Sequence, residues 1–258
     1  MNNFPLSLHR NTIDIWEISL SLPISEISVN YLSIDEQTRF QRFYFEKHRR
    51  RFASARIALR YILGHYLQQT PASLEFAYAA YGKPSLQHFP QLQFNLTHSK
   101  DLALLAICQD HPIGIDIEFF SARPFQGIAG HLFSLKEQQQ LEQLPPGLTP
   151  LGFFSTWAQK EAVMKAIGVG MSYPTKDIDL HLLPTTSYSL YEPQTKQHLQ
   201  LTPFMPQPAS CAAVCYHPDL TEIRYFHYDP TVQLSHLQCV QHFPGTHFGA
   251  SRLSNHLS

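Results

Sequence analysis

The sequence predicts an α+β protein arranged as two halves, each of antiparallel strands with packed helices. Three observations lead there. Several segments alternate apolar and polar residues with the period of two that marks a half-buried strand. Longer stretches instead place apolar residues at helical spacing. The order helix, then antiparallel strands, occurs twice along the 258 residues, without an exact repeat.

Taken in order, "TIDIWEISL" (12–20) alternates like a strand. A helical stretch runs from about Ile34 to Tyr66, with Phe40, Phe43, Phe52, Ala55, Leu59 and Ile62 on one side and a break expected near the basic run "KHRRR". Thr70-Pro71 and "YGKP" are turn signals. "LQFNLTH", "LALLAIC" and "PIGIDIE" follow as strands, the last two joined by the tight polar turn "QDHP". In the second half, helices are expected over about Leu135–Leu144 and Ser155–Ile167, with "LPPGLTP" (144–150) as a loop between them. The strands "IDLHLL", "SYSLYE", "HLQLTPF" and "CAAVCYH" come next. Past Thr221 the pattern weakens, and "HFPGTHFGASRLSNHLS" reads as a partly disordered tail. The expected organisation is an N-terminal half over 1–110, a C-terminal half over 111–220 and an extension over 221–258.

Composition narrows the class. Hydrophobic residues at 43%, with 18 Phe and 12 Tyr, suit a folded globular protein and argue against disorder. No apolar run has the length needed to span a bilayer, and "MNNFPLSLHRNTIDIW" lacks the features of a signal peptide, so a soluble cytoplasmic protein is expected. Cys108, Cys211, Cys215 and Cys239 show no CxxC spacing and read as free thiols in a reducing compartment. The 15 histidines carry no HxxxH or HExxH spacing, so most read as surface or packing residues. A net charge of −1 supplies no global field for nucleic acid. The charge is uneven, however: Arg39 to Arg60 holds eight of the 19 Lys and Arg residues against one acid, Glu46. Taken alone, that cluster reads as a solvated helix face.

Two carboxylates in a chain that is only 15% charged stand out. In "IGIDIE", Ile113, Ile115 and Ile117 share one face and Gly114, Asp116 and Glu118 the other. Side chains two apart on a strand start about 6–7 Å from each other, so both acids ionise cheaply only beside a cation. Mg²⁺ suits such hard oxygen ligands, and a solvent-facing strand end is the plain alternative. Downstream, "FFSTWAQKEAVMKAIGVGM" (153–171) forms a helix that Ser155 or Thr156 can cap and Gly168 can end. On it Trp157, Glu161 and Lys165 fall at i, i+4 and i+8. Glu161 and Lys165 are either an exposed pair worth about 0.3–0.5 kcal/mol or charged groups in a cleft beside the large Trp.

Together these blocks resemble a known family. "IGIDIE" and "WAQKEAVMKAIGVG" are similar to the two signature blocks of the 4′-phosphopantetheinyl transferases of the Sfp type, G-[IV]-D-[IV]-E and W-x-x-K-E-[AS]-x-x-K-x-x-G-x-G, with every fixed position present. "YGKP" resembles the family's G-K-P turn, "FNLTHS" (94–99) its F-N-[IL]-S-H-S strand end with Thr97 in place of serine, and "CAAVCYHPD" (211–219) its closing strand. The resemblance covers about Leu32 to Asp219. It implies two pseudo-symmetric α+β halves with the active site between them. It also implies a Mg²⁺-dependent enzyme that moves 4′-phosphopantetheine from coenzyme A to a serine of an acyl or peptidyl carrier protein, releasing 3′,5′-ADP, and the two internal halves suit a monomer.

Residue by residue, the resemblance implies that Asp116, Glu118 and Glu161 hold Mg²⁺ on the coenzyme A diphosphate. Lys165 neutralises or protonates the departing phosphate, and Glu161 or a base near it takes the serine proton. Lys83, Thr97 and His98 line the nucleotide phosphates, with His98 at the 3′-phosphate. Arg39 and Arg51 stand at basic positions of the coenzyme-binding segment, whereas Glu36 stands where the family often carries a lysine. A diphosphate ligand accounts for an arginine cluster in a near-neutral chain. Two other readings share part of this chemistry: a non-catalytic module binding coenzyme A or a carrier protein, and an unrelated Mg²⁺-dependent phosphohydrolase. The first has no need of three acids with Lys165, and the second leaves "GKP" and "FNLTHS" unexplained.

Overall fold

The structure is a computed structural model and describes residues 8–21, 29–122, 125–170, 173–230 and 239–244. In chain order the elements are β1 (Thr12–Ser19), α1 (Ile34–Arg42), α2 (Glu46–Leu67), β2 (Phe76–Tyr78), β3 (Pro84–Leu86), β4 (Leu92–Ser99), β5 (Leu102–Gln109) and β6 (Gly114–Phe119). They continue with α3 (Phe125–Leu132), α4 (Leu135–Gln143), α5 (Thr149–Ile167), β7 (Tyr188–Glu192), β8 (Gln197–Phe204), β9 (Ser210–Tyr216), β10 (Glu222–Tyr228) and β11 (Gln241–Pro244). The α+β class expected from the sequence is the one observed.

Two main sheets stack face to face. One has the strand order β11-β10-β1-β5-β4, the other β6-β9-β8-β7, and β2 and β3 form a separate hairpin. Strand alternation decides which residues meet. Ile13, Ile15, Leu104 and Ala106 of the first sheet face Ile113, Ile115, Ile117, Ala212 and Val214 of the second in one dry cluster. The opposite face of the first sheet, with Trp16, Ile18, Leu105 and Ile107, packs on Ala55, Ala58, Leu59 and Ile62 of α2. The opposite face of the second, with Leu199, Leu201, Ala213 and Cys215, packs on Ala162, Val163 and Ala166 of α5. The layers therefore run helix, sheet, sheet, helix, each amphipathic face burying against the next. Among the described residues no helix is long and apolar enough to cross a membrane.

The long helical stretch breaks as expected beside the basic run, at Phe43–Phe45, where the Phe43 carbonyl accepts from Arg49 at 3.0 Å. The structure departs from the sequence reading in four places. The helix expected to start at Ser155 starts at Thr149, because Pro150 falls in the first turn, where a missing N–H costs nothing. Thr156 consequently caps nothing, and its hydroxyl donates back to the Gly152 carbonyl at 2.9 Å. "IDLHLL" is not a strand. Its Ile178, Leu180 and Leu182 are buried, but the Leu180 N–H donates to Glu137 at 2.7 Å and the Ile178 carbonyl accepts from Lys160 at 2.6 Å. Its alternation reflects packing, with side chains replacing a ladder. Phe125–Leu132, to which the sequence reading assigns no element, forms the α3 helix despite Gly127 and Gly130.

The fourth departure lies past Thr221. Glu222–Tyr228 forms β10, which returns to the first sheet and pairs parallel to β1, with β11 antiparallel beyond it. The expected partly disordered tail falls mostly on 231–238 and 245–258, outside the described residues. A buried polar cluster fixes β10. Asp14, fully buried on β1, accepts from Arg224 Nε at 2.6 Å and Nη2 at 2.8 Å, and also from the Tyr66 hydroxyl of α2. Burial pushes the Asp14 carboxyl up, against the pull of Arg224 and Tyr66. Removing the arginine should therefore leave a buried acid without its cation. Arg224→Met is expected to cost about 3–5 kcal/mol in urea unfolding, and Arg224→Met with Asp14→Leu to recover much of that. A single variant as stable as the parent would refute the pairing's role.

Candidate active site

The site forms where the two sheets meet at their edges. β4 ends the first sheet and β6 ends the second, and the two run side by side in the same direction. Alternate polar residues of "FNLTHS" join them. Asn95 Oδ1 accepts from the Ile115 N–H at 2.8 Å, Thr97 Oγ1 donates to Asp116 Oδ1 at 2.9 Å, and Ser99 Oγ donates to Glu118 Oε2 at 3.3 Å. Ser99 Oγ also accepts from the Phe119 N–H at 3.3 Å. Side chains thus complete what two sheet edges leave unpaired.

The acid face of β6 is covered by α5, so it is not a solvent-facing strand end. Gly114 makes the cover possible. A Cβ at Gly114 would lie 2.1 Å from the Ala162 carbonyl oxygen and 2.3 Å from the Ala166 nitrogen, so the helix backbone rests directly on the strand. At this distance Lys165 Nζ reaches Asp116 Oδ1, and it also contacts Thr97 Oγ1 at 3.3 Å. Glu161, one turn earlier on the same stripe, is half-buried. Burial raises its carboxyl, Lys165 lowers it, and the negative charge of Asp116 raises it again. The Glu161–Lys165 pair is therefore partly buried against β6 and is not a fully solvated surface pair.

Asp116 is only 4% exposed, and its second oxygen, Oδ2, has no hydrogen-bond partner. Other buried carboxylates have both oxygens engaged. Asp14 is bound by Arg224 and Tyr66, and Glu137 bonds Lys160, the Ser134 N–H and the Leu180 N–H. Glu36 takes Arg56 and Arg60 together with the Ser33 N–H. This last set explains the missing lysine: burial raises the Glu36 carboxyl, but the two arginines and the backbone outweigh it and hold it below its ordinary value. Glu36 is a structural acid that orders α1 against α2.

The sequence-derived basic residues divide. His98 is exposed beside the acids. Desolvation and the nearby Arg51 and Lys165 cations lower its imidazole, while Asp116 raises it. Arg51 sits within that field and donates from Nε to Asp101 at 2.8 Å. Arg39 is exposed on α1, with its guanidinium 5.1 Å from the Phe52 ring centroid. Lys83 is engaged differently from the phosphate contact the resemblance implies. Its Nζ donates to the carbonyls of Lys165 at 2.6 Å, Ile113 at 3.0 Å and Ala166 at 3.5 Å, and burial lowers it to about 8. It closes the C-terminal end of α5 against the start of β6, where a cation also complements the helix dipole. Sequence reasoning did not single out Asn95 and Ser99, although their two-residue spacing around Thr97 was the available signal.

This arrangement gathers Asp116, Glu118, Glu161, Lys165, Thr97 and His98 at one sheet junction. Three carboxylates with one ammonium suit a hard divalent cation and a phosphate-bearing ligand. Among the described residues, the group of three ligand side chains drawn within 4.8 Å of one another is a different one, His111, His217 and Asp219. Gly114→Ala should force α5 off β6. It is expected to lower stability by roughly 1–3 kcal/mol or more in chemical denaturation. An unchanged midpoint would contradict the close contact.

Two family models match the chain. Residues 23–110 match the family model "4′-phosphopantetheinyl transferase, N-terminal", and residues 112–215 match that of the 4′-phosphopantetheinyl transferase superfamily. The chain is 36% identical to the 4′-phosphopantetheinyl transferase HetI of Nostoc sp. over 231 residues, covering 86% of this chain and 95% of that protein. It is 27% identical to the 4′-phosphopantetheinyl transferase Sfp of Bacillus subtilis, over 81% of this chain and 94% of the relative. The human L-aminoadipate-semialdehyde dehydrogenase-phosphopantetheinyl transferase is 28% identical over 61% of this chain and 55% of its own length.

Proposed function

The chain belongs to the 4′-phosphopantetheinyl transferase superfamily, and on that premise we propose that its sheet junction transfers 4′-phosphopantetheine from coenzyme A to a carrier-protein serine. The protein is an enzyme, a transferase. The observation that most supports the site assignment is the buried Asp116 oxygen without a partner, next to Glu118 and Glu161. A buried carboxylate oxygen left unpaired is costly, and a cation coordinated there would satisfy it. Hard oxygen donors of this kind suit Mg²⁺, with Asp116, Glu118 and Glu161 as its holders. When bound, Mg²⁺ supplies charge neutralisation on the diphosphate oxygens.

The chain's own groups have the following roles in the proposal. Thr97 and Lys165 orient Asp116. The incoming serine oxygen bonds to the phosphorus that bears the pantetheine arm, while the bond from that phosphorus to the 3′,5′-ADP oxygen breaks. Glu161, or a base beside it, takes the serine proton. Lys165 offsets the charge that grows on the departing phosphate. Arg39, Arg51 and His98 grip the nucleotide phosphates, His98 at the 3′-phosphate. Lys83 contributes as a positioning group, through the carbonyls that end α5. In this reading residues 1–110 supply most of the coenzyme A contacts and residues 111–220 the metal and catalytic groups. The enzyme acts as a cytoplasmic monomer on acyl or peptidyl carrier proteins, its cysteines reduced.

Intact-mass analysis of an apo carrier protein incubated with coenzyme A, Mg²⁺ and this protein tests the proposal. The expected result is a shift by one phosphopantetheine group; no shift on fatty-acid, polyketide or peptide carrier proteins would overturn it. Asp116→Ala should retain the fold and lose roughly 10²–10³ or more in turnover, as removal of a key electrostatic group does. Wild-type turnover of that variant at limiting Mg²⁺ would remove Asp116 from the site.

A further inference from the structure

A second cluster of ligand-type side chains lies at the other end of β6 from Glu118. His111 occupies the turn between β5 and β6, and His217 and Asp219 the turn between β9 and β10. At these two turns the chain crosses between the two main sheets. His111 Nε2 lies 3.8 Å and His217 Nδ1 3.4 Å from Asp219 Oδ2, and the three ligand atoms all fall within 4.8 Å of one another. The Asp219 N–H donates to His217 Nδ1 at 3.3 Å, so that nitrogen is an unprotonated acceptor whose lone pair an ion would take over from the backbone N–H. The imidazole rings stack at 4.3 Å with their planes 6° apart.

We propose that His111, His217 and Asp219 bind a borderline divalent ion, Zn²⁺ or Ni²⁺, that ties together the two inter-sheet turns. Zn²⁺ takes imidazole nitrogen at about 2.0–2.1 Å and carboxylate oxygen at about 2.0–2.2 Å, so tetrahedral ligand atoms sit roughly 3.3–3.5 Å apart. The observed 3.4 Å and 3.8 Å are close to that spacing before any adjustment. One ion cannot lie in the planes of two face-to-face rings, so binding turns at least one imidazole out of the stack. Partial exposure of both rings, 27% for His111 and 36% for His217, permits the turn, and Asp219 at 70% leaves an entry path. Ligand chemistry separates the two sites: nitrogen donors select Zn²⁺ or Ni²⁺ here, whereas the all-oxygen set around Asp116 suits Mg²⁺. Because the ion would bind the folded arrangement, thermal stability should rise with its concentration.

Metal-stripped protein titrated with ZnCl₂ provides the test, followed through histidine ring ¹H–¹³C correlations and thermal unfolding. His111→Gln and His217→Gln identify the two rings by the resonances they remove. The expected result is that both rings shift together and saturate near one ion per chain, as the stack opens. Tm should climb with Zn²⁺, and either substitution should abolish that climb. Carrier-protein modification with Mg²⁺ in excess should remain unchanged in both variants, which keeps this test independent of the proposed transfer. Unshifted His111 and His217 resonances at stoichiometric Zn²⁺ would overturn the proposal. So would a Tm response that persists in both variants, which would place the ion at others of the 15 histidines or at the acids.

Discussion

At Gly114 the backbone of α5 lies so close to β6 that no side chain of any size fits between them. The reach of Lys165 and Glu161 follows from that contact. Lys165 meets Asp116 because the helix axis is brought in by the width of a missing Cβ, and Lys83 holds the end of the same helix through its carbonyls. From the other side, Asn95, Thr97 and Ser99 bring the edge of the first sheet to β6. One strand therefore receives a helix on its face and a sheet on its edge. The two main sheets and α5 meet there.

The electrostatics distinguish that site from the buried charges that only hold the fold. Asp14 with Arg224, Glu36 with Arg56 and Arg60, and Glu137 with Lys160 are buried acids whose oxygens are all engaged, which is the condition for such pairs to be tolerated. Asp116 has the same degree of burial without the same satisfaction. An unpaired carboxylate oxygen beside two further acids, one of them with a raised proton affinity, is an arrangement that folding alone does not favour. In the proposed function a bound cation compensates it, and the same groups are those that the family blocks carry.

Local patterns were readable in the sequence where one face of one element decides the outcome. The alternation in "IGIDIE" placed the isoleucines toward the neighbouring sheet and the acids on the other side, and the i, i+4, i+8 stripe placed Glu161 and Lys165 together. What was not readable depends on distant partners. β10 is held by Asp14, 210 positions away, and no local period announces a strand that completes the first sheet in parallel. "IDLHLL" alternates because of packing, yet its backbone is satisfied by Glu137 and Lys160. Glu36 looked like a lost coenzyme contact because its arginine partners lie 20 and 24 residues further on, in another helix. Lys83 pointed to phosphate by its motif and bonds carbonyls by its geometry.

The central claim is that the Gly114 contact and the β4–β6 junction assemble a three-acid metal site. Crystals grown with coenzyme A and Mn²⁺ in place of Mg²⁺ test it most directly, through anomalous scattering. The account predicts a peak bounded by Asp116, Glu118 and Glu161, with Asp116 Oδ2 among the ligands and Lys165 released from direct contact with that carboxylate. Coenzyme A bound with no anomalous peak beside Asp116 would contradict it.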